Sequence, residues 1–157
     1  MIPRKVAEVA EITEKNMRDV LEVRKALEEL AVQLACDKIT KEEIEEMKKA
    51  AEDFKKILKS KDITEIAEAD VRFHDIIYMA TDNQKLIQLL NNLREQMYRY
   101  RVEYLKREEA HPQLIAEHAA IIEYISKGEK KAATDIMCKH IDNQVTTVID
   151  VIRTKQN

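Results

Sequence analysis

The sequence holds no tryptophan, one glycine, two prolines and two cysteines in 157 residues. Sheets joined by tight turns need residues that tolerate positive φ, and a single glycine supplies too few of them. Glu, Lys, Leu, Ala and Ile are abundant instead, the composition of long helices with few connections. No apolar run approaches the roughly 20 residues that span a bilayer, and no basic-then-apolar leader opens the chain. The expectation is a soluble, cytoplasmic protein without a membrane partner. Charge of one sign is also lacking: 27 Lys and Arg stand against 30 Asp and Glu. No cationic excess is available to track a phosphate backbone, so direct binding of nucleic acid by this chain is not expected. Cys36 and Cys138 lack metal-type spacing and fall among helical residues, which reads as two buried free thiols. At 45% hydrophobic content the chain can bury a core, and no linker, repeat or low-complexity stretch divides it. Residues 1–157 therefore read as one domain.

Apolar residues at Val20, Leu27, Leu30, Ala31 and Leu34 recur at helical spacing and predict a first helix from Asn16 to about Ile39. Thr40 and Glu43 form a capping box that opens a second, through Met47, Phe54, Ile57 and Leu58 to about Lys59. Asp62 or Thr64 caps a third, from Glu65 to about Ala80, and Asp82-Asn83 breaks the pattern. A long fourth helix is expected from Gln84 to about Arg107, interrupted at His111-Pro112. A fifth starts at Pro112 and ends near Lys127, before the lone glycine, Gly128, and a sixth runs from Glu129 to about Ile152. Before Asn16, the helical spacing of Val6, Val9 and Ile12 fits a further short helix or a docking arm equally. Short connections favour antiparallel neighbours, so the expected fold is all-α, an antiparallel bundle of about six or seven helices.

The informative residues are titratable ones placed within apolar stripes. Asp70 and His74 lie four apart on one face, continued by Ile63, Ile66, Ala67 and Ile77. His118 lies among Leu114, Ile115, Ile121, Ile122 and Ile125, and His140 among Ile136, Met137, Val145 and Val148. Burying a carboxylate and three imidazoles without partners costs several kcal/mol each. A divalent cation compensates all four at once, and the donor set suits Zn, Ni, Mn, Co or Fe. For any one of these histidines, a core imidazole bonded to a carbonyl is the plainer reading; for the set of four ligands, a metal is. His111 precedes a proline at a helix start and is left out of the site. Arg24 shares a stripe with Val20, Leu27, Ala31 and Leu34, where a guanidinium wants an anion; Glu28, one turn on, supplies one unless a ligand does. Arg94 and Arg101 share a stripe with Leu90, Met97 and Tyr104 and are weaker candidates for the same role.

Four stretches carry a resemblance: Asp19 to Ala35 with its Arg24 and Glu28; Asp70-x-x-Phe73-His74 with Ile77 and Asn83; Glu117-His118-x-x-Ile121-Ile122 with Lys127-Gly128-Glu129; and Ala132-Ala133-x-x-x-Met137-x-x-His140-Ile141. Together, from about Asp19 to Ile152, they resemble the FCD (FadR C-terminal) effector domain of GntR-type bacterial transcription regulators. The metal-binding branch of that family implies Asp70, His74, His118 and His140 as ligands of one ion, and Arg24 as part of an effector pocket to which Arg101 is a further candidate. It implies a small organic acid as effector and a homodimer as the working unit. Family members ordinarily begin with a winged helix-turn-helix domain. Nothing before Asp19 has room for one, so contact with DNA is expected through a domain absent from this chain.

The expected function is accordingly a metal-dependent, organic-acid-sensing domain rather than an enzyme. The alternative is a stand-alone metalloenzyme with a three-histidine, one-aspartate site that activates water. No second carboxylate base stands out on the same stripes, and the paired Glu-x-x-His motifs of a di-iron oxidase are missing.

Overall fold

The computed structural model describes residues 12–156, which form seven α-helices and two short 3-10 turns, with no strand among the described residues. The helices are α1 (Glu14–Lys38), α2 (Lys41–Ile57), α3 (Ile63–Ala80), α4 (Gln84–Asn92), α5 (Arg94–Leu105), α6 (His111–Ser126) and α7 (Lys130–Gln156). Val6 and Val9 lie outside the described residues.

Local chemistry sets the helix ends. Thr13 Oγ1 accepts from the Asn16 N–H at 3.1 Å to open α1. The Thr40–Glu43 capping box closes in both directions, at 3.0 and 3.1 Å. Of the two candidate caps for α3 it is Asp62 that serves, accepting from the backbone of Thr64 and Glu65, and Asn83 caps α4. Gly128 follows α6 with φ of 69°, the left-handed conformation that an L side chain resists.

The expected long fourth helix is two helices, parted at Leu93. Neither Pro nor Gly causes the break. Asn91 sits at the junction, and its side-chain oxygen accepts from Arg94 Nη2 at 2.9 Å while the same nitrogen reaches Asp75 Oδ1 at 2.8 Å. Both bonds join side chains, and the one to Asp75 on α3 is a tertiary contact. The break lets α4 lie on α1 while α5 packs on α3 and α7. A second difference lies on α1, whose core face is Met17, Leu21, Arg24, Glu28, Ala31, Val32 and Ala35. Leu30, expected inside, is 42% exposed, because the inward stripe runs to one side of the Val20–Leu34 line.

The buried apolar residues form two clusters. One gathers Ala31, Ala35, Met47, Ile77, Ile121 and Met137; the other gathers Met17, Phe54, Ile66, Tyr104, Leu114 and Val148. Chain order along α1, α3 and α6 runs from the second cluster to the first, and along α2 and α7 from the first to the second. The directions alternate, as an antiparallel bundle requires. Between the clusters, α1 contributes Arg24 and Glu28, α3 Asp70 and His74, α5 Arg101, α6 Glu117 and His118, and α7 His140 and Gln144, all buried. The interior is thus a polar layer held between two apolar ones.

Because the Thr40 box satisfies two end groups of α2 at once, Thr40→Ala should cost about 1 kcal/mol of stability, measured by urea unfolding with an unchanged denaturant slope. A loss indistinguishable from zero would show that packing alone holds that end.

Candidate metal centre

Each side chain of the layer is delivered by helix geometry. Asp70 and His74 are one turn apart on α3, and His118 and His140 enter from α6 and α7. One nitrogen from each of His74, His118 and His140 can be chosen so that all three lie within 4.8 Å of one another. Asp70 Oδ1 is 3.0 Å from His118 Nε2 and 3.7 Å from His74 Nε2. Neither approach has the direction of a hydrogen bond: Asp70 Oδ1, both nitrogens of His74 and of His118, and His140 Nε2 are buried without a hydrogen-bond partner among the described residues. The four residues read from the sequence are therefore brought together.

Neighbouring groups hold the layer in place. Arg101 Nε donates to Asp70 Oδ2 at 2.7 Å, leaving Oδ1 as the oxygen turned to the imidazoles. Phe73 stacks on His118 at 4.1 Å between ring centres, and Phe54 meets it edge-on at 4.9 Å. Arg24 donates to Glu28 Oε2 at 3.1 Å and to Gln144 Oε1, while Tyr78 donates to the same Glu28 oxygen at 3.0 Å. The i, i+4 pairing of Arg24 with Glu28 is thus made, with Arg24 Nη2 left over as a buried donor without a partner among the described residues. Arg94 is half-exposed on Asp75 and stands apart from the layer. His111 Nε2 lies 2.8 Å from the Leu105 carbonyl, also apart from it.

Two members escaped the reading of the sequence. Glu117 is buried and its Oε1 lies 2.9 Å from His140 Nδ1; Gln144 is buried beside Arg24. The signal was present for both. Glu117 follows Leu114 by three and precedes Ile121 by four, the spacing that selected His118, and Gln144 follows His140 by one turn.

Burial pushes the His74 imidazole well below its usual range, against the opposing pull of Asp70, and burial likewise lowers His118. Burial would raise Asp70, but the imidazoles of His74 and His118 and the guanidinium of Arg101 outweigh it and hold the carboxyl well below the usual range. With the imidazoles themselves neutral, Arg101 is the permanent charge behind that direction. Neutral imidazoles and an ionised carboxylate are the states in which these groups bind metal. Orphaned nitrogens, one free carboxylate oxygen and the absence of thiolate fit a borderline divalent cation. A groove of about 370 Å³ between α2 and α6 has His118 among its lining residues, with Ala51, Ala119, Lys48, Glu52 and Lys55.

The FCD domain matches residues 19–143 of the chain. The HTH-type transcriptional regulator YdhC of Bacillus subtilis (strain 168) is 25% identical over 136 residues, which is 86% of this chain and 61% of the relative. A crystal structure of a GntR-family transcriptional regulator from Pseudomonas syringae pv. tomato str. DC3000 superposes with a TM-score of 0.71 at 18% identity, over 94% of this chain and 61% of that one. The second likeness is one of fold. In both cases the chain spans about three-fifths of the longer protein.

The lowered imidazoles fix a pH dependence. Unfolded histidine titrates at about 6.5, so on acidification below that the unfolded chain takes up protons that folded His74 and His118 refuse, and stability falls. Asp70 does not offset this, since its own contribution persists down to the ordinary carboxylate range of about 3.9. The thermal midpoint of metal-stripped protein should fall between about pH 7.5 and pH 5.5, and fall less in a His74→Asn, His118→Asn variant. An equal fall in both proteins would show that other groups govern it.

Proposed function

The chain belongs to the FCD domain family, and from that premise we propose that it is the metal-dependent, organic-acid-sensing domain of a GntR-type transcription regulator. The observation that carries the reading is the layer of unpaired polar atoms: Asp70 Oδ1 with the free nitrogens of His74, His118 and His140. These four residues would hold one divalent ion of Zn, Ni, Mn, Co or Fe. Bound there, the ion would act as a Lewis acid with positions left for a carboxylate of the effector.

The remaining work belongs to the chain. Arg24 offers its free Nη2 to the rest of the acid, and Arg101, fixed on Asp70, adds a second guanidinium at the same depth. The α2–α6 groove, lined by Lys48, Lys55 and His118, would be the anion's way in. Because the site draws on α1, α3, α5, α6 and α7, an acid that binds one arrangement of these helices more tightly biases the bundle toward it. In a homodimer that bias would change the spacing of two DNA-binding domains. Among the described residues no helix is long and apolar enough to cross a membrane, in keeping with work in the cytoplasm.

The metalloenzyme reading is weaker because the matched relatives are transcription regulators. Of the nearest buried carboxylates, Glu117 accepts from His140 and Asn143 on its two oxygens and has none free to act as a general base. Glu28 accepts from Arg24 and Tyr78 on Oε2 alone, and its Oε1 is buried without a partner among the described residues.

Elemental analysis of protein purified without chelator should find about one ion per chain, with affinity lowered about 10-fold or more by His118→Ala or His140→Ala and unchanged by His111→Ala. Calorimetric titration with small mono- and dicarboxylates should show binding to metal-loaded protein, weaker binding to Arg24→Ala and none to stripped protein. Equal binding in all three would refute the pocket, and turnover of any acid would favour the enzyme. Sedimentation equilibrium should return a dimer; monomer alone at micromolar concentration would contradict it.

A further inference from the structure

A neutral imidazole carries its proton on one nitrogen and its lone pair on the other, so it is a ligand only if the correct nitrogen faces the ion. Within the layer, His74 and His118 have no hydrogen-bond partner on either nitrogen among the described residues. His140 differs: its Nδ1 lies 2.9 Å from Glu117 Oε1, which leaves Nε2, without a partner among the described residues, as its open nitrogen in the cluster with His74 and His118. A carboxylate accepts, so Nδ1 donates, and the lone pair is on Nε2. Glu117 is itself anchored, because Asn143 Nδ2 donates to its second oxygen at 2.7 Å. Asn143 stands three residues after His140 on α7, so one helix turn grips both oxygens of a carboxylate from α6. Glu117 and His118, as neighbours on α6, point roughly 100° apart, which sends one to His140 and the other to Asp70.

We propose that Glu117 is a positioning residue of this centre: it fixes the ring orientation and tautomer of His140 and so makes Nε2 the ligating atom. The inference rests on the metal reading and adds to it a residue that touches no metal. Outer partners of this kind orient ligating histidines and raise their basicity. Glutamine is the discriminating substitution, since it keeps the shape of Glu117 but offers one acceptor where two donors, His140 Nδ1–H and Asn143 Nδ2–H, both need one. In Glu117→Gln one of the two bonds is lost, or Asn143 turns its amide to accept and leaves His140 a weaker, neutral acceptor, or the new amide turns its NH₂ to the ring and selects the opposite tautomer.

Two readouts test this, one without metal. Long-range proton–nitrogen NMR of the histidine rings in stripped protein should show His140 as the Nδ1–H tautomer, and Glu117→Gln should move it to a mixture or to Nε2–H. Competition titration of Zn²⁺ against a chromophoric chelator should show affinity lowered about 10–100-fold in Glu117→Gln and Glu117→Ala, and by less in Asn143→Ala. Should Glu117→Ala fail to fold, the near-isosteric glutamine variant carries the test. Unchanged Zn²⁺ affinity in Glu117→Gln alongside binding by the unsubstituted protein would overturn the role of Glu117 alone. Weaker Zn²⁺ binding with His140 still in the Nδ1–H form would also overturn it, leaving only an effect of lost charge. No Zn²⁺ uptake by the unsubstituted protein would overturn this inference and the metal reading together.

Discussion

A carboxylate and three imidazoles share an interior closed on both sides by apolar side chains, and a buried polar atom without a partner is among the costliest features a fold can carry. Asp70 meets part of that cost through Arg101 and His140 meets part through Glu117, yet six atoms of the four residues stay unpaired within the described chain. Replacing all four by leucine or phenylalanine would make a simpler core. Their presence is economical if something outside the chain satisfies them, and one cation would take one atom from each of the four at once.

The architecture is arranged around that layer. A bundle with one continuous apolar core has no place for eight buried ionisable side chains, whereas here the two apolar clusters sit above and below and close the layer from water. The polar residues themselves tie the helices together: Arg24 bridges α1 to α7, Arg101 bridges α5 to α3, Tyr78 bridges α3 to α1, and Glu117 bridges α6 to α7. A shift in α1, α3, α5, α6 or α7 is therefore felt at the centre, and the reverse also holds. An occupant of the layer would therefore be coupled to the packing of the bundle, as the proposed sensing role requires.

Much of this was legible before any coordinates, for a specific reason. Helical periodicity fixes which residues face inward, so Asp70, His74, His118 and His140 are each found as a polar residue on an apolar stripe, and the Thr40–Glu43 box needs only local sequence. The i, i+4 partnership of Arg24 and Glu28 is legible in the same way. Glu117 obeys the same rule but was passed over, because a glutamate on a charged helix is ordinarily solvated and only its distance to His140 reveals its use. The break at Leu93 was not legible at all: it depends on Arg94 reaching Asp75 across the bundle, and no local residue demands it. The outward turn of Leu30 is of the same kind, set by which side of α1 the other helices cover.

The central claim is that Asp70, His74, His118 and His140 form one coordination sphere, and X-ray absorption at the metal edge of protein loaded with Zn²⁺ tests it most directly. The account predicts a first shell of nitrogen and oxygen only, at about 2.0–2.2 Å, with the outer-shell scattering of three imidazoles that drops to two in His140→Ala. A sulfur shell at about 2.3 Å would place the ion on Cys36 or Cys138, and fewer than three imidazoles in the unsubstituted protein would break the sphere apart; either contradicts the account.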